Sequence, residues 1–176
     1  MIKSEIELKE NWLFTSSEEY NWLPAKVPGT VHTDLIDNNK IEDPFFGINE
    51  QNLQWIGEKD WLYCKFFSLN QQILSKENVV LVFEGLDTFT EIYLNDILLL
   101  KSDNMFREWE IDCRELLNEG PNKLEIKFRN VFDENVPKWN KAPFRLLAHS
   151  VNDQADVMVS MYTRKAQFHY GWDWGP

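Results

Sequence analysis

Apolar and polar positions along this chain follow mainly the period of two that marks β-strands. The run Val79 to Phe83 is continuously β-branched or aromatic, too short for a helix, and bounded by Glu84-Gly85-Leu86-Asp87. It predicts a strand buried on both faces. In the next segment, Thr88 to Leu94, residues Thr90, Ile92 and Leu94 point one way while Phe89, Glu91 and Tyr93 point the other. Asn95-Asp96 supplies two residues that tolerate turn conformations before Ile97 to Leu100 runs back, which predicts a hairpin. These three strands are expected at the centre of a β-sandwich.

Elsewhere the same signals recur with less regularity. Trp12 to Phe14 can begin a strand, Val27-Pro28-Gly29-Thr30 is a turn, and Val31 to Asn39 fits a short helix with Val31, Leu35 and Ile36 on one face. No period holds from Ile41 to Asp60, which reads as a long irregular loop. Trp61 to Phe67 alternates again, as does Met105 to Ile111 with Trp109 and Ile111 on one face. Asp112 and Glu115 resemble a capping box opening a helical turn from Cys113 to Leu117, with Gly120-Pro121 as its stop. Lys123 to Arg129 alternates with Leu124, Ile126 and Phe128 inward. Val131 to Ala148 is poorly periodic, and Val157 to Tyr162 is a further strand candidate. Many strands with few short helices predict an all-β, jelly-roll-like sandwich.

Composition narrows the picture. A length of 176 residues suits one domain that buries roughly 70% of its unfolded surface, so no disulfide or metal staple is needed. Net charge is −11, and without clustered Lys and Arg a nucleic-acid partner is not expected. Cys64 and Cys113 sit in no metal or redox spacing and read as buried or inert thiols. The charged N-terminus, Met1 to Trp12, has no apolar stretch for a signal peptide, and no run approaches a membrane span. A soluble chain is expected, cytoplasmic or exported with a signal removed.

Candidate chemistry concentrates near the C-terminus. In Trp172-Asp173-Trp174, indole rings suit the C–H faces of a sugar and the carboxylate suits its hydroxyls. The same residues also fit a core or interface Trp pair with Asp173 as a turn acceptor. His32, His149 and His169 are too scattered to propose a metal, and no cofactor motif is present. The dipeptides Asn49-Glu50 and Asn118-Glu119 read as solvated loop residues.

Four stretches together carry a resemblance: VPGTVHTDL from Val27 to Leu35, DPFFGINEQNLQWIGEKDW from Asp43 to Trp61, FEGLDTFTEIYLN from Phe83 to Asn95, and RKAQFHYGWDWGP from Arg164 to Pro176. With these, the chain resembles the N-terminal sugar-binding domain of β-mannosidases in glycoside hydrolase family two. That resemblance implies a galactose-binding-domain-like jelly roll spanning residues 1–176. It implies further domains beyond, including a (β/α)₈ barrel with two catalytic glutamates, so no catalytic residue is expected in this fragment. The implied reaction is retaining hydrolysis of terminal β-D-mannosyl residues, with a β-mannoside or oligosaccharide as substrate. Asp173 would contact mannose hydroxyls, with Trp172 or Trp174 lining the wall. The alternatives are a free-standing carbohydrate-binding module, or the same domain from a β-galactosidase, β-glucuronidase or glucosaminidase.

Overall fold

The computed structural model describes residues 4–144 and 157–170. In order, the elements are β1 (Trp12–Ser16), β2 (Leu23–Ala25), α1 (Val31–Asp37), α2 (Asn49–Asn52), β3 (Trp61–Leu69), α3 (Gln71–Leu74), β4 (Val80–Phe83), β5 (Phe89–Leu94), β6 (Ile97–Asp103), β7 (Trp109–Asp112), β8 (Gly120–Phe128) and α4 (Val131–Lys141). Six strands form one sheet in the order β2-β1-β3-β8-β5-β6, and β4 pairs with β7 in a second, two-stranded sheet. All of these pairings are antiparallel. The expected all-β sandwich is therefore observed.

Side chains from both sheets meet in one core. Phe14, Ile92 and Leu94 have no exposed surface, and Leu81, Phe83 and Trp109 of the smaller sheet pack against the same cluster. The Phe14 ring lies 5.9 Å from Trp61 and 5.7 Å from Tyr63, contacts that each add on the order of 1 kcal/mol beyond area burial. Inward positions in β5 and β8 are as their alternation requires: Thr90, Ile92, Leu94, Leu124 and Ile126 are buried and Phe128 is half-buried. Phe89 points the other way yet is also buried, because Lys138 of α4 covers its ring at 4.9 Å.

The hairpin of β5 and β6 forms as expected. Asn95 and Asp96 both adopt positive φ (50° and 66°), the requirement of a type I′ turn, between paired Leu94 and Ile97. Asn95 does more than turn the chain. Its Nδ2 donates to the Leu116 carbonyl at 2.7 Å and to Asn122 Oδ1 at 2.8 Å, while its Oδ1 accepts from the Lys123 amide at 2.9 Å.

Several expectations are corrected. β4 is not buried on both faces: Val80 and Val82 are exposed, because they lie on the outer side of the two-stranded sheet. Nor does it stand beside β5, and the β5–β6 hairpin forms one edge of the larger sheet rather than its centre. Asp112 and Glu115 make no capping box; Arg114–Leu116 is a 3-10 turn, and Asp112 Oδ1 accepts from the Arg114 amide at 3.1 Å. Gly120 and Pro121 open β8 instead of merely ending a helix. The poorly periodic stretch contains α4, with Asn130 accepting from the Asp133 amide as its N-cap, acids in its first turn and lysines in its last. Val157 to Tyr162 is not a strand; Ser160–Tyr162 forms a 3-10 turn. Two short helical turns, Asn49–Asn52 and Gln54–Ile56, break the irregular 41–60 loop.

A buried carboxylate holds α1 against the sheet. Asp34, 1% exposed, accepts from the Tyr63 hydroxyl at 2.7 Å and from the Lys26 amide at 2.9 Å. At the end of the helix Asn38 donates to the Pro24 carbonyl of β2 at 2.8 Å. Burial raises the Asp34 carboxyl above its ordinary value of 3.8, with the bonds from Tyr63 and Lys26 opposing that shift.

The folded chain consequently retains this proton to higher pH than the unfolded chain does. Asp34 thus contributes stability fully below its unfolded pKa, and that contribution is lost as pH rises through the folded one. The expected outcome in urea titrations is that Asp34→Asn, which cannot ionise, falls further below wild type at pH 4 than at pH 7. Tyr63→Phe should cost about 1–3 kcal/mol at either pH, because it leaves a buried carboxyl oxygen unpaired.

Candidate functional site

Trp172, Asp173 and Trp174 lie outside the described residues. What the structure shows is the stem that leads to them, residues 157–170, and the groups that hold this stem to the sandwich. A helix, a strand end and a loop each hold it in place.

The first is α4. Asn135, fully buried, donates to Thr163 Oγ1 at 2.8 Å and accepts from Lys138 Nζ at 2.7 Å, and the Thr163 hydroxyl donates to the Val159 carbonyl at 2.9 Å. Thr163 is itself 3% exposed, so these bonds operate away from water, where losing one is expensive. Beyond the end of β6 lies the second: Asn104 bridges Arg164, the Met105 amide donates to the Arg164 carbonyl at 3.0 Å, and the Ala166 amide donates to Met105 Sδ at 3.0 Å. The third is an ion pair with the loop between β4 and β5, Lys165 Nζ to Asp87 Oδ2 at 2.7 Å, joining residues far apart in sequence. Thr88 also donates its hydroxyl to Asp87 Oδ1.

Two histidines that the sequence leaves far apart both feel the charge of Lys165. Burial lowers the pKa of His32, at the start of α1, and the Lys165 cation lowers it further. His169 is lowered by burial and by Lys165, with Asp87 opposing. Both imidazoles are therefore biased to the neutral form, able to donate from one nitrogen and accept at the other. The Lys165–Asp87 pair, with the Thr88 hydroxyl on the same carboxylate, fixes charge of both signs beside the stem. Nothing in the spacing of Asp87 and Lys165 announces their pairing; only the stretches GLD and RKAQFH hint at it.

The remaining candidates fall elsewhere. Among the described residues no three His, Cys, Asp or Glu side chains converge as metal ligands. Cys64 and Cys113 are buried free thiols, and burial pushes Cys113 up to about 11, which keeps it a protonated, unreactive thiol. Glu50 and Glu119 are exposed. An open cleft of about 480 Å³ lies between the β5–β6 hairpin and α4. Its central charges are paired with one another: Glu91 holds Lys101 at 2.6 Å and lies 3.8 Å from Arg129, which reaches Glu134 at 3.0 Å.

Two antiparallel sheets of this order, with a polar cluster where loops and a terminal stem meet, define a galactose-binding-like domain. The chain belongs to the glycosyl hydrolase 2 galactose-binding domain-like family, whose model matches residues 12–176. It is 38% identical over 174 residues to a β-mannosidase B of Aspergillus terreus and 37% identical to that of Emericella nidulans, covering 96% of this chain and 20% of each relative. The crystal structure of a β-D-mannosidase from Dictyoglomus thermophilum matches with a TM-score of 0.88 and 40% identity, over 97% of this chain and 20% of that one. An exo-chitosanase of Amycolatopsis orientalis shares the fold at a TM-score of 0.63 and 18% identity, over 71% and 16% of the two chains. This chain thus spans about a fifth of the length of the relatives it matches.

Asn135→Ala removes the bond to Thr163 and the acceptor for Lys138. Hydrogen exchange should show faster amide exchange in residues 158–170, with β3 and β8 unchanged, and the variant should lose about 1–3 kcal/mol of stability. Unchanged protection of the stem would mean that the other two fastenings suffice.

Proposed function

We propose that this chain is the non-catalytic, sugar-binding-type N-terminal domain of a retaining exo-β-mannosidase that hydrolyses terminal β-D-mannosyl residues. Its own contribution is a loop, Trp172 to Trp174, that forms one wall of the substrate pocket. The observation that carries this reading is the 40% identity and 0.88 TM-score to a β-D-mannosidase over nearly the whole chain, where the exo-chitosanase matches far less closely. The stem supports it physically. Asp173 lies three positions beyond Tyr170, a reach of about 11 Å at most, so a loop that contacts a sugar needs an anchored base, and the stem is anchored three times.

In this reading the longer protein supplies a (β/α)₈ barrel, with one glutamate as nucleophile and another as acid and base. Asp173 accepts hydrogen bonds from mannose hydroxyls, and an indole of Trp172 or Trp174 packs on the ring's C–H face. The ordering matters for catalysis, because a contact held in place before the sugar arrives costs less on binding.

The test uses the longer protein. Asp173→Ala should lower kcat/KM on an aryl β-mannoside by at least ~2 kcal/mol of transition-state binding, about thirty-fold. Kinetics close to wild type would remove Asp173 from the site. Faster turnover of a β-galactoside or β-glucuronide than of the β-mannoside would overturn the sugar assignment while leaving the domain assignment standing.

A further inference from the structure

The 41–60 loop divides into two parts with opposite behaviour. Leu53, Trp55 and Ile56 pack on the core, and Pro44 is buried, yet the residues between turn outward. Phe45 is 70% exposed, Phe46 75% and Ile48 65%, three large apolar side chains within four residues. Among the exposed hydrophobic side chains of the described residues, this is the densest run along the chain.

Loose backbone does not explain the exposure. Asp43 Oδ1 accepts from the Phe45 amide at 2.9 Å, and the Asp43 carbonyl accepts from the Phe46 amide at 3.2 Å and from Asn49 Nδ2 at 2.9 Å. The Phe46 carbonyl accepts from the Asn49 amide at 3.2 Å. Gly47 takes a φ of +64°, which an L-residue adopts only with strain, and so completes the turn. Asp43, Gly47 and Asn49 thus hold a preformed projection whose tip is apolar. Given typical side-chain areas, the three tips offer about 400 Å² of apolar surface, near the largest patch that an isolated monomer usually shows.

Two observations indicate what covers it. The relatives that match this chain are about five times its length, so in proteins of this kind most of the polypeptide lies outside this domain. The rim is acidic: Glu42, Asp43 and Glu50 flank the tip, and among the described residues no Lys or Arg lies in ion-pair contact with any of them. We propose that the turn from Phe45 to Ile48 is the surface by which this domain docks onto a further domain of the same longer polypeptide, into an apolar depression rimmed by Lys or Arg. An area of this size is a large part of a usual interdomain interface, and covalent linkage raises the effective concentration enough for a small patch to hold. Docking of this kind rests on the proposed function only in requiring further chain; it does not depend on which sugar, if any, is cleaved.

Hydroxyl-radical footprinting of the longer protein, referenced to the same chain unfolded in urea, tests it without an activity readout. Phe45 and Phe46 should be oxidised at least ten-fold more slowly than in the unfolded chain, at every protein concentration and without added sugar. Oxidation at near-unfolded rates would overturn the proposal. Protection that disappears on dilution would also overturn it, in favour of a second copy of the chain, and protection that appears only with a manno-oligosaccharide would overturn it in favour of a ligand platform. The double variant Phe45→Ser/Phe46→Ser should split the thermal unfolding of the longer protein into separate transitions, whereas Phe66→Ser, at a comparably exposed site on β3, should not. A protein that is inactive on mannosides yet protected at Phe45 would sink the enzymatic reading alone.

Discussion

The nine-residue antiparallel pairing of β3 with β8, from Trp61 opposite Phe128 to Leu69 opposite Gly120, is the constraint on which the molecule depends. These two strands are central in the larger sheet, and each carries a different half of the fold. Through β3 come β1, β2 and the α1 helix that Tyr63 anchors; through β8 come the β5–β6 hairpin and, directly after the strand, the Asn130 cap of α4. A slip of one residue between β3 and β8 would put Trp61 and Tyr63 on the opposite face of the sheet from Leu124 and Ile126, so one pair would leave the core, because side chains alternate with a period of two.

Buried polar side chains then attach what the sheet does not hold by itself. Asp34 ties α1 to β3, Asn95 and Asn122 tie the hairpin turn to the segment before β8, and Asn135 ties α4 to the stem. Each is nearly or wholly removed from water or bonded to a group that is, and each has its partners in place. A satisfied buried amide or carboxyl specifies one arrangement more sharply than an apolar contact does, since displacing it leaves a polar group unpaired. The position of the stem thus follows from hydrogen bonding as much as from apolar packing.

Strands with one buried face are legible in the chain because alternation reports that asymmetry directly: β8 carries it plainly, as does β5 from Thr90 to Leu94. β4 misleads, since an apolar run looks the same whether its second face is covered or open, and here Val80 and Val82 are open. Pro137, in the seventh position of α4, obscures that helix, although Asn130 followed by Asp133 is a readable cap. In the candidate site, the aromatic and acidic residues at 172–174 can be singled out from composition and resemblance. The Lys165–Asp87 pair cannot, because its meeting depends on tertiary placement that no local period encodes.

One small feature governs how the larger sheet ends. At the midpoint of β2, Pro24 has no amide hydrogen, and its carbonyl is already engaged by the Asn38 side chain. A seventh strand arriving at that border would find no donor at the central position and an acceptor already in use. The border is chemically blunted there, which disfavours edge-to-edge growth by a neighbouring molecule.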